Sequence, residues 1–268
     1  MPHGLKSAAG WLASATPETV ERFLGSLSNE ALMALPWLFE FWALPHQLAP
    51  EGMWKSWVIM GGRGAGKTRA GAEWVRAQVE GARPRDAGAA RRVALVGETV
   101  DQVREVMIMG ESGILACSPP DRRPLWEAGR RRLVWANGAT AQVYSGHEPE
   151  ALRGPQFDAA WVDELAKWKK VEDSWDMLQF ALRLGEHPQQ VLPGGDGLAE
   201  DRVLEQKVIG VERDNGLGAF PEGLQPFDGE RVAHERLLLS RELDTCDAMC
   251  PTTGGRLPPG GNRLPQGG

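Results

Sequence analysis

The sequence predicts an α/β protein with a largely parallel central sheet flanked by helices, a helical lead-in and a poorly structured carboxyl-terminal tail. Three observations predict it. Short apolar runs at residues 56–60, 92–96 and 157–162 alternate with helix-like stretches, the pattern of parallel strands joined by crossover helices. A glycine-rich turn joins the first of these strands to the helix after it. The composition, 42% hydrophobic and 25% charged in 268 residues, suits one large core or one core with a partial second.

Each element has its own reason. Thr16, Pro17 and Glu18 supply an N-cap, a first-turn proline and a first-turn acid. Val20, Phe23, Leu24 and Leu27 then give one apolar face, and Ser28 caps a second helix through Leu32 and Leu35. The lead-in, residues 1–42, is expected to pack on a larger core. Residues 68–79 form the helix after the glycine turn, closed by Pro84, and residues 100–109 form the next. Residues 133–135 and 139–144 pair across the Asn137-Gly138 turn, adding an antiparallel portion. Residues 171–184 are helical again.

Gly61-Gly62-Arg63-Gly64-Ala65-Gly66-Lys67-Thr68 fits G-x-x-x-x-G-K-[ST] at every position, between a strand and a helix, and makes the fold that of a P-loop NTPase. Glycines let backbone N–H groups turn toward phosphate oxygens, and the helix N-terminus adds a favourable dipole. Lys67 neutralises the β- and γ-phosphates, and the Thr68 hydroxyl ligates Mg²⁺. Arg63 either reaches the γ-phosphate or a neighbouring subunit, or is a solvated surface arginine.

The second site is the strand end Trp161-Val162-Asp163-Glu164. Asp163 is expected to hold Mg²⁺ at the carboxyl edge of the sheet, with Glu164 as the general base that polarises the attacking water. An aspartate after a strand can also be a simple helix cap. The complete phosphate loop upstream favours the catalytic reading.

These residues resemble the ATPase domain of the large terminase subunit, found in tailed phages, prophages and gene transfer agents. The resemblance runs from about residue 42 to 190. It rests on Ala43-Leu44-Pro45-His46-Gln47, the stretch from Gly61 to Arg76, Val93 to Thr99, and Leu152-Arg153-Gly154 leading to the Asp163-Glu164 strand end. It implies an ATP-hydrolysing motor that packages double-stranded DNA, working as a homo-oligomeric ring with a portal protein and a small terminase subunit. It also implies that Gln47 contacts adenine and that Arg153 acts as a catalytic finger in a neighbour's site. The residues alone leave Arg153 open to pairing with Glu150 or Asp158 instead. A helicase-like P-loop ATPase, or a non-catalytic remnant that binds nucleotide or a packaging partner, are the alternatives.

The remainder departs from the family. All 11 Trp lie between Trp11 and Trp175, whereas residues 191–268 hold 14 Gly and 7 Pro. That segment carries 13 acids and 8 bases, so most of the net charge of −6 is its own. The expected threonine-rich coupling turn and nuclease acids are not recognisable there, although Asp196, Glu200, Asp201 and Glu205 are present. The match is expected to stop at residue 190, with a truncated or frame-shifted gene, a divergent linker, or a zinc module as readings. His234, Cys246 and Cys250 supply three ligands where structural zinc needs four. Three cysteines and no apolar run of about 18 residues point to a cytoplasmic protein without membrane partners. The arginine-rich stretch 83–132, with Arg130-Arg131-Arg132 contiguous, reads as a DNA-facing patch, a subunit interface or a solvated face.

Overall fold

A computed structural model describes residues 6–194. The lead-in comprises α1 (Ala8–Ala13), α2 (Pro17–Gly25), α3 (Asn29–Ala34) and α4 (Phe39–Trp42). The caps fall where the sequence places them: the Thr16 and Ser28 hydroxyls accept from the Thr19 and Ala31 N–H groups. The first three helices bury no residue; α4 buries Phe41, and its Phe39 packs against the apolar cluster of the core. Phe41 stacks on Phe23 with ring centroids 6.0 Å apart.

The core elements then follow as β1 (Ser56–Met60), α5 (Lys67–Val79), β2 (Arg92–Gly97) and α6 (Val100–Gln102). The expected helix over 100–109 begins as α6 but continues as a π-helical turn, Val103–Ile108, in which the Met109 N–H donates to the Arg104 carbonyl. Widening that turn brings Val103, Met107 and Ile108 together into the core. Next come α7 (Ile114–Cys117), β3 (Leu125–Glu127), β4 (Arg132–Val134), β5 (Thr140–Ser145), β6 (Ala159–Val162), α8 (Val171–Ala181) and β7 (Gln189–Gly194).

The seven strands order as β1-β7-β6-β2-β5-β4-β3. The first five are parallel neighbours; β5 pairs antiparallel with β4 through the Asn137-Gly138 turn, and β4 antiparallel with β3. Two apolar clusters cover the sheet. One gathers Trp57, Trp74, Leu95 and Trp161, with α5 among its elements, and the other joins Phe157, Trp175, Leu178 and Leu192 around α8. β2 and β6 are buried throughout apart from Arg92, as strands covered on both faces must be.

One expectation is corrected. The boundary placed at residue 190 cuts through β7, which runs to Gly194 and pairs with both β1 and β6. β7 thus supplies a strand after the acidic motif, beside β6. Its proline is tolerated because Pro193 directs its carbonyl, and with it the site of its absent N–H, past the last registered pair with β6, Trp161 with Val191. The threonine-rich turn, the tail acids Asp196, Glu200, Asp201 and Glu205, and the His234, Cys246 and Cys250 set lie outside the described residues.

Candidate active site

The strand order decides where the chemistry meets. The phosphate loop leaves the carboxyl end of β1, and Asp163 and Glu164 leave the carboxyl end of β6, with only β7 between them. Gly64 and Gly66 have φ of +80° and +75°, a left-handed backbone that disfavours any side chain, and Gly66 is the N-cap of α5. A Cβ on Gly61 would come 2.9 Å from that of Ala65, whereas one on Gly62 would meet nothing. Gly64 and Gly66 are thus required by the backbone, and Gly61 by the Ala65 side chain beside it.

Lys67 folds back across its own loop, its ammonium donating to the Gly61 and Gly62 carbonyls. Those carbonyls hold the amine where phosphate oxygens would take it over. Thr68 sits beside it in the first turn of α5, and Arg63 is exposed at the tip of the loop. Gln47 is spent on the same loop. Its amide donates to the Ala65 carbonyl at 2.9 Å and accepts from the Leu44 N–H at 2.8 Å. Its Nε2 would lie 2.0 Å from a Cβ at Gly66, so glutamine and glycine fit only as a pair.

Asp163 is buried, its N–H donating to the Val96 carbonyl at 2.8 Å. Burial first, then the Glu164 carboxylate beside it, push its carboxyl up to about 7. The charges of Lys167 and Lys67 and the Trp161 side chain oppose that rise incompletely. A buried carboxyl with a second carboxylate beside it fits a divalent cation, which would offset the cost of ionising it.

Glu164 adopts φ +50°, a left-handed conformation uncommon for a residue with a Cβ and costly to hold. Its N–H donates to the Pro193 carbonyl at 3.1 Å, and its carboxylate lies 3.4 Å from the Lys167 ammonium. Lys167, Pro193 and the Trp168 indole, which donates to the Asp163 carbonyl at 3.2 Å, are site residues that the motif reading missed. Only Lys167 left a sequence signal, a cation three residues beyond the acids.

Arg153 is not brought to this place. It precedes β6 rather than following it, and Phe157 to Asp163 spans roughly 20 Å of extended chain at about 3.3 Å per residue. Its guanidinium is three-quarters exposed and lies 3.5 Å from Glu150. Asp158, the other expected partner, accepts instead from the Arg91 and Arg92 N–H groups. Much of the arginine-rich stretch is likewise committed to the fold: Arg122 donates to the Gly81 and Ala82 carbonyls, and Arg130 and Arg132 pair with Glu127.

A family profile, the amino-terminal part of the terminase large subunit of T4-like virus type, matches residues 58–192. The chain belongs to the terminase large subunit family. The matched span runs from within β1 through β6 and most of β7, and it includes both the Gly61–Thr68 loop and the Asp163-Glu164 pair. The solved structures it resembles include the ATPase domain of the Thermus phage P74-26 large terminase. The two are 18% identical, with a TM-score of 0.39 over 62% of this chain and 68% of that one. A point variant of the P74-26 domain gives 18% identity and a TM-score of 0.45 over 74% and 78%. The large terminase of another thermophilic bacteriophage, in complex with ADP, gives 16% and 0.40 over 63% of this chain but 38% of that one. No curated protein matches the chain. Among the described residues of this terminase no helix is long and apolar enough to cross a membrane, and no group of three or more His, Cys, Asp or Glu could hold a metal.

Proposed function

We propose that this terminase chain hydrolyses ATP to drive double-stranded DNA into a capsid in the cytoplasm, in a ring of its own copies with portal and small-subunit partners. The observation that carries the reading is the meeting of a complete phosphate loop with the buried Asp163 and the partly exposed Glu164 across a single intervening strand. The triphosphate would take Lys67 from the Gly61 and Gly62 carbonyls, and the loop N–H groups would hold its oxygens. Gln47, already on the loop, stands where an adenine amide contact would also register loop position.

Thr68 and Asp163 are the residues that would hold Mg²⁺, which when bound neutralises charge on the phosphates. The Glu164 carboxylate takes the proton of the attacking water as its oxygen bonds to the γ-phosphorus and the bond to the β-phosphate oxygen breaks. Arg153, at the far edge of its own sheet, can serve only another copy's nucleotide, where a guanidinium stabilises charge on the transferred phosphoryl. Glu164→Gln should bind ATP with affinity near that of the parent and lose about 10²–10⁴-fold in turnover. Undiminished single-turnover hydrolysis in that variant removes Glu164 from the reaction.

A further inference from the structure

The peptide that joins Asp163 to Glu164 is held at both of its polar groups. The Glu164 N–H donates to the Pro193 carbonyl at 3.1 Å, and the Asp163 carbonyl accepts from the Trp168 indole at 3.2 Å. Because a peptide group is planar, fixing its N–H and its C=O together sets the φ at which Glu164 leaves it. That φ is +50°, which a residue with a Cβ adopts only under constraint. Rotation of a freed peptide plane would return Glu164 to ordinary backbone and aim its carboxylate elsewhere. Lys167, whose ammonium lies 3.4 Å from that carboxylate, reaches only the end of the side chain.

The indole is itself seated. Trp168 is buried, and a Cβ on Gly146, the residue after β5, would strike its ring. Gly146 has no left-handed φ, so it is glycine for the sake of the ring and not of its own backbone. Both its polar groups are tied. Its N–H donates to the Gly97 carbonyl at the end of β2 at 2.7 Å, and its carbonyl accepts from the buried Ser174 hydroxyl of α8 at 2.6 Å. Packing alone asks for no hydrogen bond from an indole in this core: the buried Trp74 and Trp135 leave theirs without a partner.

We propose that Trp168 is a positioning residue for hydrolysis. It keeps the Asp163-Glu164 peptide in its left-handed setting, so that the Glu164 carboxylate is aimed at the attacking water, and Gly146 is the seat of its ring. The inference rests on the reading of Glu164 as the general base.

Trp168→Phe keeps a ring over Gly146 and removes the N–H. Its turnover should fall about tenfold or more, while the KM for ATP and the affinity for nucleotide stay within about twofold of the parent. In a Glu164→Gln chain the same substitution should cost nothing further, because the carboxylate it positions is gone. Gly146→Ala, which displaces the indole without changing it, should reproduce the turnover loss. A denaturation cycle reads the peptide without any turnover. Glu164→Gly should raise the urea midpoint of the parent, where glycine takes the left-handed φ freely, and should lower it or leave it unmoved in Trp168→Phe. Parent-level turnover in Trp168→Phe or Gly146→Ala, a loss carried equally by KM, an equal further loss in the Glu164→Gln chain, or the same midpoint shift in both backgrounds overturns the proposal. Full hydrolysis by Glu164→Gln overturns it together with the general-base reading. A wild-type chain without hydrolysis defeats the ATPase reading alone, since the denaturation cycle still judges the hold of Trp168 on the peptide.

Discussion

The two ends of α5 are built on opposite principles. At its start, Lys67 rests on two loop carbonyls and Gln47 on a third, all contacts that an incoming phosphate or base can replace. Towards its end, Glu73 is buried between Arg69 and Arg76, while Arg76 also binds Glu80 and donates to the Cys117 carbonyl at 2.7 Å. Burial raises the Glu73 carboxyl despite both arginines, so the network survives by mutual satisfaction rather than by exposure. Nearby, burial likewise pushes the Cys117 thiol up to about 12, which leaves it protonated and inert. One helix therefore carries a replaceable end for chemistry and a fixed end that anchors it to α7. A motor element needs both, because a loop that exchanges partners transmits nothing unless its helix is held.

The contrast can be broken from either side. The largest effect belongs to Lys67→Ala, which should lower hydrolysis by about 10³-fold or more while barely moving the melting temperature, read by steady-state ATPase and calorimetry. Glu73→Ala should do the reverse: unfolding free energy falls by about 3–5 kcal/mol because Arg76 is left buried with one partner fewer, while ATP affinity measured in the cold stays near the parent value. An affinity loss as large as that of Lys67→Ala would mean the two ends are not separable.

Asp163→Asn sharpens the comparison at the facing strand. The folded carboxyl sits at about 7 against an ordinary 3.8, so ionising it disfavours the folded state. Stability of the parent without metal should fall as pH rises from about 4 and level off above about 7. The asparagine variant, which does not titrate, should gain on it over that window and be more stable at about pH 8, yet inactive. Parallel urea titrations at about pH 5, 6 and 8 check this; a constant difference between the two proteins refutes it. The smallest effect is Arg153→Ala, expected to change stability by less than about 0.5 kcal/mol, because an exposed pair with Glu150 contributes little.

How much of this was legible in the sequence follows from what each residue answers to. The phosphate loop was readable because its requirements are local: Gly64 and Gly66 need positive φ, Gly61 needs the space beside Ala65, and a strand and helix must flank them. The caps at Thr16 and Ser28 were readable for the same reason. β7 was hidden by Pro193 and Gly194, which read as a loop until their pairing with Ile59 and Met60 of β1 is seen. The π-helical turn was invisible because only packing of Met107 and Ile108 against the core selects it over an ordinary helix. Arg153 was found by resemblance, but its separation from its own acid pair is a fact of topology that no local pattern carries.

The position of β7 has one more consequence. It is wedged between the strand that delivers the phosphate loop and the strand that delivers the acids, and its Pro193 carbonyl is tied to the Glu164 backbone. The strand ends at Gly194, one residue beyond that tie. A tug on that end is therefore a tug on the left-handed peptide of Glu164, and a change at that residue pulls on the strand end. The seam between the two motifs is also a tendon.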